Sequence, residues 1–209
     1  MTYCAITGDI DNSRNYEDRS KLIKKIKKTV NYINDNYQKV LAAKFIIYSG
    51  DEVQGLLQDP SDSYRLIREL QRMMYPVKLQ FGVGIGELST PVPVELDTAY
   101  TGELDGEAYY RAREMLNLAK KYNQNVFYYF DDRACDLINN LIAFIDSTED
   151  LRTEKQWETV RLYEKYKKQK LVAEELNINQ TTVSRSLNRS SYYLIKKTEK
   201  SIGEYLSKI

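Results

Sequence analysis

The chain has 209 residues, 42% of them hydrophobic, enough for one ordinary core and a small second module. It contains no histidine, which excludes histidine-based zinc sites and Ser-His or Cys-His triads. The formal charge of +1 hides a split: residues 1–150 carry 18 Lys and Arg against 23 Asp and Glu, residues 151–209 carry 13 against 7. A basic tail on an acidic body points the tail toward a polyanion, or else makes it an ordinary solvated helix surface.

The N-terminal residues MTYCAITGDI lack the basic region and apolar core of a signal peptide, and no run reaches membrane-spanning length. The two cysteines, Cys4 and Cys135, read as reduced thiols. A soluble cytoplasmic protein is expected. Thr2–Ile10 reads as a short buried strand ending at Gly8-Asp9. Tyr16–Tyr37 has helical spacing, with Leu22, Ile23, Ile26, Val30 and Ile33 on one face and lysines on the other. Phe45–Leu57 reads as a hairpin whose turn, Ser49-Gly50-Asp51, holds the adjacent carboxylates Asp51 and Glu52. An isolated Gly-Asp pair is usually only a polar turn; here a second acidic strand end, Gly8-Asp9, accompanies it.

Asp59–Asp62 starts a helix that Pro76 closes, Lys78–Gly86 alternates as a strand, and Glu87–Asp105 is a long loop. Gly106–Tyr122 is helical, Val126–Phe130 a strand and Asp131–Ile145 a helix. The strand–helix–hairpin–helix–strand order predicts an α+β, ferredoxin-like sheet with helices on one face, over residues 1–150. In that topology Asp9 and Asp51 lie side by side, two carboxylates suited to Mg²⁺ or Mn²⁺ shared with substrate phosphates.

The same residues resemble the palm of GGDEF-type diguanylate cyclases and class III nucleotide cyclases. Gly8-Asp9-Ile10-Asp11 is similar to the Asp-Ile-Asp that opens a GGDEF domain, and Ser49-Gly50-Asp51-Glu52-Val53 to its GGDEF turn. Phe81–Gly86 and Ala119-Lys120…Asn123-Gln124-Asn125 fall on further matching positions. The resemblance implies Asp9 and Asp51 as metal ligands and Lys120 as a triphosphate contact; Glu52 is a further candidate, as a second ligand or a structural hydrogen-bond acceptor, and Arg14 a further candidate nucleotide contact. Gln124 departs from a phosphate-binding arginine and Glu17 from a base-reading asparagine, so guanine specificity is not implied. Tyr110 and Glu114 stand where class III enzymes have a catalytic asparagine and arginine, and Arg111 or Arg113 would substitute only by a register change. The whole pattern, with Gln54-Gly55 and Asp105-Gly106-Glu107, resembles the SatD family.

Residues 151–209 read as an all-α module. Thr153–Tyr166 is an amphipathic helix, and Gln169–Asn188 resembles a helix-turn-helix with Ala173 at the crossing, Asn177 in the turn and Val183 packing the second helix on the first. Gln180, Thr181, Ser184, Arg185 and Asn188 would then read base edges in the major groove. Lys167, Lys168, Lys170 and Arg189 would contact phosphates. Ser186 stands where an apolar core residue is usual, with Leu187 one place later. The long helix through Tyr192, Ile195, Ile202 and Leu206 suits pairing of two protomers. The expected function is a homodimeric regulator that binds double-stranded DNA, with a palm that senses a nucleotide or metal. The alternative is a metal-dependent nucleotidyl cyclase or transferase whose tail dimerises.

Overall fold

The computed structural model describes residues 2–10, 16, 18–48, 50–93 and 103–209. Within them the chain forms two compact units, one of residues 1–140 with 202–209 and one of residues 141–201.

The first unit is α+β. Its strands β1 (Tyr3–Ile10), β2 (Leu41–Tyr48), β3 (Glu52–Leu57), β4 (Leu79–Gly86) and β5 (Val126–Tyr129) form one sheet in the order β2-β3-β1-β4-β5. The first four strands are antiparallel to their neighbours, the ferredoxin-like order expected from the sequence. β5 adds a fifth strand parallel to β4.

Helices α1 (Arg19–Asn36) and α2 (Ser63–Met74) cover one face. Asp18 caps α1 by accepting from the Lys21 backbone N–H at 2.8 Å, and Leu22, Ile26, Val30 and Ile33 are buried at helical spacing. Below them, Cys4, Ile6, Phe81, Val83 and Ile85 are buried.

Helix α3 (Glu107–Tyr122) lies on the opposite face, so the expectation of helices on one face alone does not hold. The reason is in β4. A Cβ on Gly82 would stand 2.0 Å from the Ala112 carbonyl oxygen, and one on Gly84 2.2 Å from that of Ala108. The glycines alternate along the strand and clear a track on which the α3 backbone rests. Ala108, Ala112, Leu116 and Ala119 fill the contact.

The edge strands are closed in the same way at both ends. Asn34 of α1 accepts from the Phe45 N–H and donates to its carbonyl, both at 2.8 Å, where β2 bulges out of register. Asn139, on α4 (Cys135–Asp150), does this for Tyr128 of β5, at 2.8 and 2.9 Å. Backbone groups that a neighbouring strand would have paired are thereby satisfied. The last turn of the chain also belongs to this unit. Ile202 and Leu206 are fully buried, Tyr205 packs on Phe130, and its hydroxyl donates to Asp132 at 2.7 Å.

The second unit is all-α, built from the end of α4 and from α5 (Glu154–Tyr166), α6 (Gln169–Glu175), α7 (Gln180–Arg189) and most of α8 (Tyr192–Leu206). Its core is Val160, Val172, Ala173, Val183, Leu187 and Tyr192. Thr153 and Gln156 form a capping box at the start of α5. Arg152 is buried, bonded to Glu149 at 3.0 Å and to the Ser190 carbonyl at 3.0 Å. Both cysteines are free. No helix among the described residues is long and apolar enough to cross a membrane.

Candidate functional site

On the α3 face of the sheet, Tyr48, Glu52, Asp9 and Gln80 form one rung across β2, β3, β1 and β4. Residues directly opposite in antiparallel strands point to the same face, so Asp9 and Glu52 are side-by-side carboxylates. The residue facing Asp9 is therefore Glu52, where the sequence suggested Asp51. Asp51 lies one position earlier, in the turn after Gly50, whose φ of +95° suits glycine.

Each carboxylate of the rung has a cation from α3. Arg113 donates to both oxygens of Glu52, its Nη2 standing 2.6 Å from Oε1, and the Lys120 ammonium pairs with Asp9. Arg113 and Lys120 are seven residues apart, two helical turns, and so share one face of α3. The Glu52 hydrogen bond raises the Arg113 pKa still further, making the guanidinium a permanent charge. The acids are mostly covered, at 20% and 13% side-chain exposure for Asp9 and Glu52, while Arg113 and Lys120 are nearly half exposed at 46% and 44%. The cations are thus the solvent-facing partners.

Arg113 is the residue that sequence reading placed poorly. Of the two arginines on α3, Arg111 is engaged elsewhere: it donates to Asp131 at 2.6 Å and to the Ile85 carbonyl, and lies over the Tyr129 ring. The i, i+7 spacing of Arg113 to Lys120 was the available signal. Tyr110 is exposed and donates to Asp105 at 2.6 Å. Arg14 and Glu17 lie outside the described residues, as does the middle of the loop over 87–105.

Asp9 and Glu52 are the hard oxygen donors that Mg²⁺ or Mn²⁺ takes, and Asp51 adjoins them. Among the described residues no three or more His, Cys, Asp or Glu are already grouped for a metal. The two-carboxylate rung fits an ion completed by phosphate oxygens and water. It does not fit an all-protein cage.

In the helical unit, α6 and α7 are joined by a turn at Asn177 with φ +51°, the left-handed position expected there. Asn179 caps α7 by accepting from the Thr182 N–H at 2.8 Å. Val183 and Leu187, four residues apart, are fully buried, and Ser186 is half-buried. Leu187 is therefore the core residue, which resolves the mismatch at Ser186. The opposite face of α7 presents Gln180, Thr181, Arg185 and Asn188 exposed and Ser184 at the margin. Lys168, Lys170 and Arg189 are exposed, while Lys167 is paired with Glu164. An open groove along the turn is lined by Lys170, Glu174, Asn177, Asn179, Gln180 and Thr182 among others.

The family model described as the SatD family matches residues 3–206. None of the curated proteins matches the chain. Among solved structures, a bacterial light-regulated adenylyl cyclase is similar at 12% identity and TM-score 0.45, over 61% of this chain and 43% of that one. The guanylyl cyclase Cya2 is similar at 13% identity and TM-score 0.39, over 56% of this chain and 70% of that one. A regulator of polyketide synthase expression from Bifidobacterium adolescentis has 16% identity and TM-score 0.26, over 97% and 85%. The chain spans less than half the length of the adenylyl cyclase it matches.

Proposed function

The chain belongs to the SatD family, and we propose that it is a DNA-binding regulator whose sheet unit senses a nucleotide polyphosphate held with Mg²⁺ or Mn²⁺. The observation that carries the DNA-binding half is α7. Its apolar side is consumed by Val183 and Leu187, and its other side offers Gln180, Thr181, Ser184, Arg185 and Asn188. These are donors and acceptors suited to base edges, with Arg185 fitted to guanine and Asn188 or Gln180 to adenine. Lys168, Lys170 and Arg189 would hold phosphates.

The sensing half rests on the rung. Asp9 and Glu52 are neutralised by two half-exposed cations. Arg113 and Lys120 would turn to the phosphate oxygens, and Asp9 and Glu52, with Asp51, would hold the divalent ion. A bound ion would supply charge neutralisation of the phosphates. Arg113 offers a two-pronged donor for a phosphate, Lys120 a point charge. Regulation then requires that the ligand favour one DNA-binding state over the other, and DNA must alter nucleotide affinity by the same factor.

The second reading is a metal-dependent nucleotidyl cyclase or transferase, with the C-terminal helices used for dimerisation. Arg113 favours it, because a permanent cation beside the carboxylates is placed to meet charge developing on a phosphate. Turnover separates the two. Full chain with nucleoside triphosphates and Mg²⁺ or Mn²⁺ yields a product under the enzyme reading, and Asp9→Asn abolishes it. Under the regulator reading nucleotide and metal together raise the melting temperature without product. Selection of genomic fragments by the full chain at two salt concentrations tests the DNA half. Sequence-selective binding that survives the higher salt supports it, and binding erased by salt refutes it.

A further inference from the structure

The sheet unit is acidic overall, yet the exposed side of α1 is not. Arg19, Lys21, Lys24, Lys27 and Lys28 are all exposed, Lys25 lies among them, and no acid occurs between Asp18 and Asp35. Like charges three and four residues apart on a helix repel, and cations in the first turn oppose the helix dipole. The first turn holds no acid, and among the described residues Asp18 caps it. Lys25 is the half-buried member: burial first, and then the charge of Lys21, lowers its pKa, and its ammonium is held by the carbonyls of Met74 and Tyr75. The five exposed cations repel one another in the free protein, and a polyanion laid along them would relieve that repulsion.

We propose that the Lys21–Lys24–Lys27–Lys28 face of α1 is a second DNA contact, binding the phosphate backbone of duplex DNA without regard to sequence. One observation selects nucleic acid over insertion into a membrane surface. A helix that lies on a membrane needs an apolar side to insert. The apolar side of α1 (Leu22, Ile26, Val30 and Ile33) is buried in the core. The face is also almost pure ammonium, which holds phosphates as point charges and reads no bases. Lys21 to Lys28 spans about 10 Å along the helix, a reach over several duplex phosphates.

The inference stands apart from α7, because it concerns a different unit and a sequence-independent mode of binding. The test is binding of the full chain to a random-sequence duplex over a range of salt. The triple variant Lys24→Gln, Lys27→Gln, Lys28→Gln lowers the slope of log affinity against log salt by about 2–3, roughly 0.9 for each phosphate no longer neutralised. The matching Lys→Arg triple keeps the parental slope. An unchanged slope in the Gln triple overturns the inference. So does a weakening seen only on vesicles containing phosphatidylserine, or only on duplex RNA. Arg185→Ala is read separately, as preference between sequences. If it binds like the parent, the α7 reading falls and the α1 inference is still decided by the slope.

Discussion

Helix α3 buries Ala108, Ala112, Leu116 and Ala119 on the sheet and turns Arg113 and Lys120 onto carboxylates of its own unit. Helix α7 buries Val183 and Leu187 and turns Gln180, Thr181, Arg185 and Asn188 to solvent. Both are amphipathic helices with one polar face, but the first face is already satisfied and the second is open. A ligand at α3 must exchange with existing ion pairs, so its affinity is a difference between two sets of charge interactions. A ligand at α7 adds hydrogen bonds to groups that otherwise meet water.

The comparison breaks most completely if α3 loses its track. Gly82→Val places side-chain atoms against the Ala112 carbonyl and the Leu116 N–H and destabilises the sheet unit by about 3 kcal/mol or more, seen as an early transition in chemical denaturation. Leu187→Ala removes the matching anchor of α7 and costs about 2–5 kcal/mol in the helical unit. Ser186→Ala at the neighbouring position changes stability by less than about 0.5 kcal/mol, which checks the register.

Changes to the polar faces separate them further. Arg185→Ala weakens binding to a selected DNA site by about 1–3 kcal/mol and leaves the melting temperature unchanged. Glu52→Gln changes stability by under about 1 kcal/mol, because Arg113 is half exposed, but removes the divalent-ion dependence of nucleotide binding in calorimetry.

The smallest effect is at the end of α8. Accepting from the Ala134 N–H and then from the Tyr205 hydroxyl holds Asp132 below the usual carboxylate pKa. Its contribution is complete above the unfolded value of ~3.9 and is lost as pH falls through the folded one. Asp132 raises the Tyr205 pKa, so the phenol's share is complete below ~10 and is lost as pH climbs through the raised value. Tyr205→Phe therefore lowers the melting temperature slightly at neutral pH, and the difference closes at both extremes.

The strand and helix order was readable because periodicity is local. Thr2–Ile10, Lys78–Gly86 and Gly106–Tyr122 all appear within a residue or two of their expected ends. The face chosen by α3 was not readable. It depends on Gly82 and Gly84 lying under Ala108 and Ala112, a meeting of distant segments. The partner of Asp9 was missed for a similar reason: whether Asp51 or Glu52 faces it depends on one residue of register, and a slip of one exchanges the faces of the sheet. Lys120 could be singled out from its motif; Arg113 had only its i, i+7 spacing to Lys120, and its pairing with Glu52 depends on the tertiary approach of α3 to β3. On α7, Val183 and Leu187 follow a plain i, i+4 rule that the expected family spacing obscured.

The chain crosses between its two units twice, leaving the sheet unit after Asn140 and returning at Ile202. Residues 141–201 are thus an insertion with two tethered ends, not an appendix. A deletion that stops before Ile202 strips the sheet unit of Ile202 and Leu206 and leaves apolar surface bare. Recombination that exchanges the helical unit must therefore splice at both junctions. A simple tail swap at a single point would carry off part of the sheet unit's own core.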